Sequence, residues 1–163
     1  MCLWTRKPKI VFSKHISKTI EDGKPMYRWK FYNAGKRYLK DIDYKMELYE
    51  NETGTSNGKI IANRVNIIDI PFAAKPRVVV PFKKSSVDNM FADYAIQIRI
   101  KPEEGDLETL LKGDDSKGIA RKFLEIQFSC KDAKGLCETK TFYFDDSAIK
   151  EGSFKLGNSV DII

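Results

Sequence analysis

The sequence has little of what most enzymes use for chemistry. His15 is the only histidine, and the three cysteines, Cys2, Cys130 and Cys137, are not spaced as a zinc site. A nucleophilic triad needs a held histidine, and structural zinc needs four convergent ligands. The glycines are isolated rather than grouped in a phosphate-binding loop. The composition therefore predicts a protein that is not an enzyme, that carries no cofactor or metal, and in which His15 is a surface or loop residue.

Long apolar runs are missing as well. No stretch approaches the roughly 20 apolar residues of a membrane-spanning helix, and the first residues lack the apolar core of a signal peptide. The odd, sparse cysteines do not form a disulfide scaffold. Cys130 and Cys137 flank a predicted hairpin, where a bridge is geometrically conceivable, but reduced thiols are the favoured interpretation. The expected location is the cytoplasm, either free or tethered to the membrane on its cytoplasmic side.

Alternation of apolar and charged residues with a period of two is the strongest pattern present. From Asp41 to Leu48 every even position is apolar and every odd position is charged. This pattern predicts a strand with one face in the core and the other in water. Further strands are predicted at residues 9–13, 27–31, 60–68, 78–82, 94–100, 124–130 and 139–144.

Turn residues separate these runs, and one segment departs from them. Asp22-Gly23 suits a tight hairpin, and residues 132–135 suit the tip of the last one. Residues 106–111 have helical spacing, with Asp106 as the N-cap and Gly113 at the end.

These elements together predict the fold class. Many short strands at this spacing are typical of an all-β fold, here an immunoglobulin-like two-sheet β-sandwich of seven to nine strands with one short helix. We assign residues 8–163 to this single domain. Residues 1–7 are assigned to an N-terminal extension or to the stub of a membrane anchor, because Trp4 precedes several basic residues.

The net charge of +6 indicates candidate binding residues. The clustered cations are Arg6, Lys7, Lys9, Lys36, Arg37, Lys83 and Lys84. Such groups suit an anionic membrane surface, an acidic protein or nucleic acid, while solubility alone is the alternative explanation. Nucleic acid is the least favoured, because the neighbouring aromatic residues follow the core-facing alternation. We expect a protein partner or self-association, and no small-molecule substrate is indicated.

Several segments resemble, in their order, the cytoplasmic domain of prokaryotic inward rectifier potassium channels. Residues 51–86 depart from the family's pattern. The likeness is carried by residues 7–13, 22–25, 30–33, 42–48 and 123–128, followed by Tyr143, Asp146, Ile149, Gly152 and Phe154. The resemblance implies an immunoglobulin-like sandwich that assembles as a tetramer under a pore and regulates its gating. No pore helix, selectivity filter or transmembrane segment is present in the sequence. The chain also resembles a group of bacterial proteins of unknown function with a similar Lys-Pro-Lys-Ile start.

Two functions therefore remain open. The first is a non-enzymatic binding or assembly domain, similar to the regulatory domain of such a channel. The second is a stand-alone protein whose basic surface binds an acidic partner, anionic lipid or nucleic acid.

Overall fold

The computed structural model describes the backbone of residues 7–52, 61–69, 78–79, 95–112 and 120–163, and the side chains within 7–49, 95–112 and 122–163. Ten strands lie in these ranges: β1 Ile10–Phe12, β2 Ile16–Glu21, β3 Lys24–Asn33, β4 Leu39–Glu52, β5 Ile61–Asp69, β6 Val78–Val79, β7 Ala95–Pro102, β8 Ala120–Asp132, β9 Cys137–Phe144 and β10 Ile149–Glu151. One α-helix, α1 (Leu107–Lys112), follows β7, and a 3₁₀ turn (Asp146–Ala148) precedes β10.

The strands form two sheets that share β5. Sheet A has the order β10-β2-β3-β7-β5, with β1 also on β3, and sheet B has the order β5-β4-β8-β9, with β6 also on β4. Residues 61–64 of β5 pair with β4, and residues 65–69 pair with β7. Every pair is antiparallel except β10 with β2. The predicted all-β, two-sheet sandwich with one short helix is confirmed.

The core lies between the sheets and is rich in aromatic rings. Trp29 and Phe31 of β3 are fully buried, and Phe128 of β8 meets the Phe31 ring edge-on with a centroid distance of 4.9 Å. The Phe12 ring stacks on Trp29 at 5.7 Å. Leu107, on α1, adds an apolar side chain to this core. Burial of such large apolar surfaces is the main favourable contribution to folding.

Local patterns account for most of these elements. Ile42, Tyr44, Met46 and Leu48 are all buried, as the alternation along β4 predicts. The Asp22-Gly23 turn has positive φ angles of 51° and 75°, which a tight β-hairpin turn requires. Asp106 caps α1 by accepting a hydrogen bond from the Thr109 amide at 3.3 Å.

The strand count exceeds the predicted seven to nine. The additional elements are short or lie near an edge. The sequence pattern does not distinguish β2 from the loop before it, and β10 has only three residues. β10 exists because it pairs in parallel with β2, more than 130 residues earlier in the chain. A period-two pattern cannot develop over three residues, so such a strand depends on its distant partner.

The last residues form a C-terminal hairpin, residues 153–163, that covers part of the outer face of sheet A. Its two arms are joined by the Ser153 amide donating to Ile163 O at 3.0 Å and the Lys155 amide donating to Asp161 O at 2.8 Å. Lys30 points away from the core on β3, yet it is only 1% exposed. Its ammonium donates to the carbonyl oxygens of Lys155 and Gly157, each at 2.8 Å.

Candidate anion-binding pocket

The start of β1 and the turn after β3 are held side by side. β1 pairs with the end of β3 so that Ile10 lies opposite Asn33. One residue beyond this pair, the Ala34 amide donates to Lys9 O at 2.9 Å. The pairing therefore brings the basic residues before β1 next to those that follow β3.

Asn33 fixes the turn that carries Lys36 and Arg37. Its side chain is fully buried; Oδ1 accepts from the Gly35 amide at 3.0 Å, and Nδ2 donates to Arg37 O at 2.8 Å. Such local side-chain to backbone bonds are what make asparagine favourable in turns. The turn backbone is thus tied at both ends by one buried amide.

A pocket of about 310 Å³ lies between these two segments. Its lining combines four cationic side chains with one carboxylate and small or apolar groups: Lys7, Pro8, Lys9, Asn33, Ala34, Gly35, Lys36, Arg37, Leu39 and Asp132. The volume is at the small end of the range of small-ligand sites, about 300–1,000 Å³. The charge of the lining favours an anion.

Asp132 is occupied by structural contacts at the base of the pocket. It is fully buried, and its Oδ1 accepts from the amides of Lys134 and Leu136, both at 2.9 Å. Arg37 Nε lies 2.8 Å from Asp132 Oδ2, as an ion pair rather than a well-aligned hydrogen bond. Asp132 therefore shapes the β8–β9 turn and orients the Arg37 guanidinium.

Three lysines of the lining have no acidic partner among the residues described. Lys7, Lys9 and Lys36 are exposed, and none of them forms an ion pair in those ranges. Like charges that face one pocket raise its electrostatic potential and attract a counter-ion. These three lysines and Arg37, which is paired with Asp132, give the pocket more positive charge than the single Asp132 carboxylate can balance.

The structure thus unites four of the seven predicted site residues. Lys7, Lys9, Lys36 and Arg37 line one pocket, although they come from two separate clusters in the sequence. Arg6, Lys83 and Lys84 lie outside the described residues. Asn33 and Asp132 were not predicted as part of a site, since a turn asparagine and a turn aspartate carry no sign of their role in a sequence.

His15 lies in the loop between β1 and β2, as predicted, but it is half-buried. Its amide donates to Ser13 Oγ at 3.0 Å, and its Nδ1 is buried with no hydrogen-bond partner in the described part of the chain. In the same ranges, no three His, Cys, Asp or Glu side chains are grouped to hold a metal ion.

Cys130 and Cys137 are both free thiols, as expected. Cys130 lies opposite Glu138 and is buried in the core, whereas Cys137 lies opposite Lys131 and is exposed. Their side chains therefore point to opposite faces of sheet B. Burial raises the pKa of the Cys130 thiol to about 12, and the nearby carboxylates of Glu138 and Asp132 act in the same direction.

Comparison with known proteins adds no relative. No protein-family model matches the chain, and no curated protein matches it either. Within the described ranges, no helix is both long enough and apolar enough to cross a membrane. The resemblance to a potassium-channel domain remains a prediction.

Proposed function

We propose that the protein is a non-enzymatic binding domain whose cationic pocket holds an anionic group at the cytoplasmic face of a membrane. The observation that supports this most is the convergence of Lys7, Lys9, Lys36 and Arg37 on one pocket. Lysine ammonium groups act as mobile point charges, and the planar Arg37 guanidinium offers directed donors. This combination suits the phosphate or carboxylate of an anionic lipid headgroup.

The position of the pocket on the fold supports a membrane surface as the source of that anion. Lys7, Pro8 and Lys9 lie on the segment that precedes β1, and both lysines are exposed. A planar anionic surface attracts each nearby basic residue by about 1 kcal/mol. Three exposed lysines on one side of the domain thus supply enough attraction for reversible binding.

Vesicle flotation tests this proposal. The wild-type chain is expected to bind vesicles of phosphatidylcholine mixed with phosphatidylserine, and not vesicles of phosphatidylcholine alone. Binding should weaken as salt rises, because screening shortens the reach of exposed charges. Reversing two pocket charges, Lys9→Glu with Lys36→Glu, should lower the affinity by at least about tenfold.

The matched control reverses two exposed lysines away from the pocket, Lys24→Glu with Lys150→Glu. Both double variants change the net charge equally, so a general charge effect lowers their binding alike. If both double variants lose the same amount of vesicle binding, the binding does not depend on the pocket. Binding of an oligonucleotide with a steep salt dependence, in place of vesicle binding, would favour nucleic acid instead.

A further inference from the structure

Among the described strands, β9 is the last strand of sheet B. Its eight residues pair with β8 on one side, and no described strand pairs with the other side. The β8–β9 register runs without a shift from Leu124 with Phe144 to Lys131 with Cys137. The strand contains no proline and no bulge, and the charged residues Glu138 and Lys140 are the features that limit pairing at this edge.

The unpaired backbone groups of β9 belong to its odd-numbered residues. At the hairpin tip, the Asp132 amide donates to Leu136 O at 2.9 Å, so the even-numbered position 136 faces β8. Successive residues of an antiparallel strand direct their amide and carbonyl groups to opposite sides. Thr139 and Thr141 therefore direct theirs away from β8 and are ready to pair with another strand.

The other end of the strand order, in sheet A, differs from the β9 edge. It is formed by β10, which has three residues and is followed by Gly152, where the chain turns with a φ of 126°. Very short edge strands do not offer a useful template for pairing. β9 is therefore the longer of the two end strands in the described part of the chain.

Two charged side chains of β9 are placed unusually. Glu138 is only 6% exposed, and its carboxylate has no hydrogen bond or ion pair within the described residues. Lys140, two residues along on the same face of the strand, is exposed, and its ammonium lies 5.5 Å from the centre of the Phe12 ring.

We infer that β9 pairs antiparallel with β9 of a second copy, about a two-fold axis at Thr139, so that sheet B continues across the dimer. Each Glu138 then lies opposite Lys140 of the other copy, so the dimer contains two such contacts. These are non-hydrogen-bonded pairs, in which the Cα atoms approach to about 4.5 Å and the side chains lie closest. The second copy thus places a cation beside each Glu138 carboxylate.

Neighbouring registers are less favourable. An axis at Lys140 puts the two lysines directly opposite each other, and like charges there are destabilising. An axis at Thr141 puts Glu138 opposite Phe144 and Lys140 opposite Phe142, which leaves both charges unpaired. Of these three registers, only the one with its axis at Thr139 places opposite charges facing each other. A second copy of the chain is therefore the partner that fits this edge.

Light scattering over a concentration series provides the first test. The apparent mass should rise from 18.7 kDa towards twice that value, within the micromolar to about millimolar range of weak pairs. Thr139→Pro removes an outward amide without touching the β8 ladder and should keep the protein monomeric. A wild-type chain that stays monomeric throughout this range overturns the inference.

Charge reversal tests the proposed pairing more sharply. Lys140→Glu places Glu138 opposite a glutamate, and Glu138→Lys places Lys140 opposite a lysine, so each variant alone should be monomeric. Mixed together, the two variants restore both opposite-charge contacts and should associate again. Lys45→Glu, at an exposed site on β4, is the control and should leave association unchanged. Failure of the folded variants to associate on mixing refutes the Glu138–Lys140 contacts.

Cross-linking decides the register even where Glu138→Lys does not fold. In a Cys2→Ser/Cys137→Ser chain, the remaining native thiol, Cys130, is buried. Adding Thr139→Cys should then give a cross-linked dimer with a short reagent that carries two thiol-reactive groups, whereas adding Thr141→Cys should give much less. The reverse yield, or none from either variant, overturns the pairing about Thr139. Vesicle flotation of the Thr139→Pro variant separates this result from anion binding, because that variant keeps all four pocket cations.

Discussion

Among single residues, Lys30 shows most clearly what the sequence conceals. Its place on β3 gives it the outward direction that the alternation predicts, yet the C-terminal hairpin buries it. Its ammonium has two carbonyl acceptors and, within the described residues, no carboxylate partner. Burial therefore lowers the pKa of Lys30 from its usual value of 10.5.

Replacing this lysine should lower stability in a pH-dependent way. Lys30→Met leaves two buried carbonyl groups without a donor, at a cost of about 1–3 kcal/mol. Between the lowered folded-state pKa and 10.5, the unfolded wild-type chain binds more protons than the folded one, so the wild type gains stability as pH rises. The deficit of Lys30→Met should therefore widen across that window and stay constant below it.

Urea denaturation in a pH series measures this difference. Lys24→Met, at an exposed position of the same strand, is the control and should behave as the wild type. A deficit that narrows with rising pH would mean that Lys30 is stabilised by a carboxylate, in contradiction to the contacts seen.

At the scale of elements, the period-two pattern makes a quantitative prediction for β8 and β4. Ile126 is fully buried, and its replacement by alanine should cost about 2–5 kcal/mol in the free energy of unfolding. Lys45 is exposed on the opposite face of β4, and Lys45→Ala should change stability by about 0.5 kcal/mol or less. Chemical denaturation of both variants checks the assignment, and similar losses would contradict it.

Strands with a long local pattern could be predicted from the sequence, whereas those formed by distant partners could not. β3, β4, β7 and β8 each contain several alternating positions, so their inner faces are evident. In β2 the same face runs from the fully buried Ile16 to Ile20, which is 64% exposed, because the strand leaves the core on its way to the hairpin. The alternation of buried and exposed residues is therefore incomplete along β2.

The site was predictable only in part for the same physical reason. The sequence identified the cations but separated Lys9 from Lys36 and Arg37, because composition does not reveal that the end of β3 returns beside β1. The bonds of Asn33 to Gly35 and Arg37 are local, but a turn asparagine does not by itself indicate a site. The Arg37–Asp132 ion pair joins two distant turns of the chain, and no local pattern encodes it.

For the molecule as a whole, Cys130 offers a probe of global unfolding. Its thiol is buried in the core and its pKa is raised to about 12, so its thiolate is scarce near neutral pH. In a Cys2→Ser/Cys137→Ser chain, labelling of Cys130 by a thiol reagent should be slow and should accelerate along the same denaturant curve as the loss of β-structure. Rapid labelling of the folded protein would show that this end of the sandwich opens locally.

The pairing of β4 with β8 also bears on how the chain is made. The two strands join residues from 68 positions apart, Glu52 with Ala120, to 93 positions apart, Leu39 with Asp132. A ribosome adds about 5–20 residues per second, so β4 emerges several seconds before its main neighbour exists. During that interval the edge of β4 that will pair with β8 has no partner strand in the nascent chain. We therefore expect chaperones that bind nascent chains to improve the folding of this protein. Slower translation should lengthen the time for which β4 is unpaired.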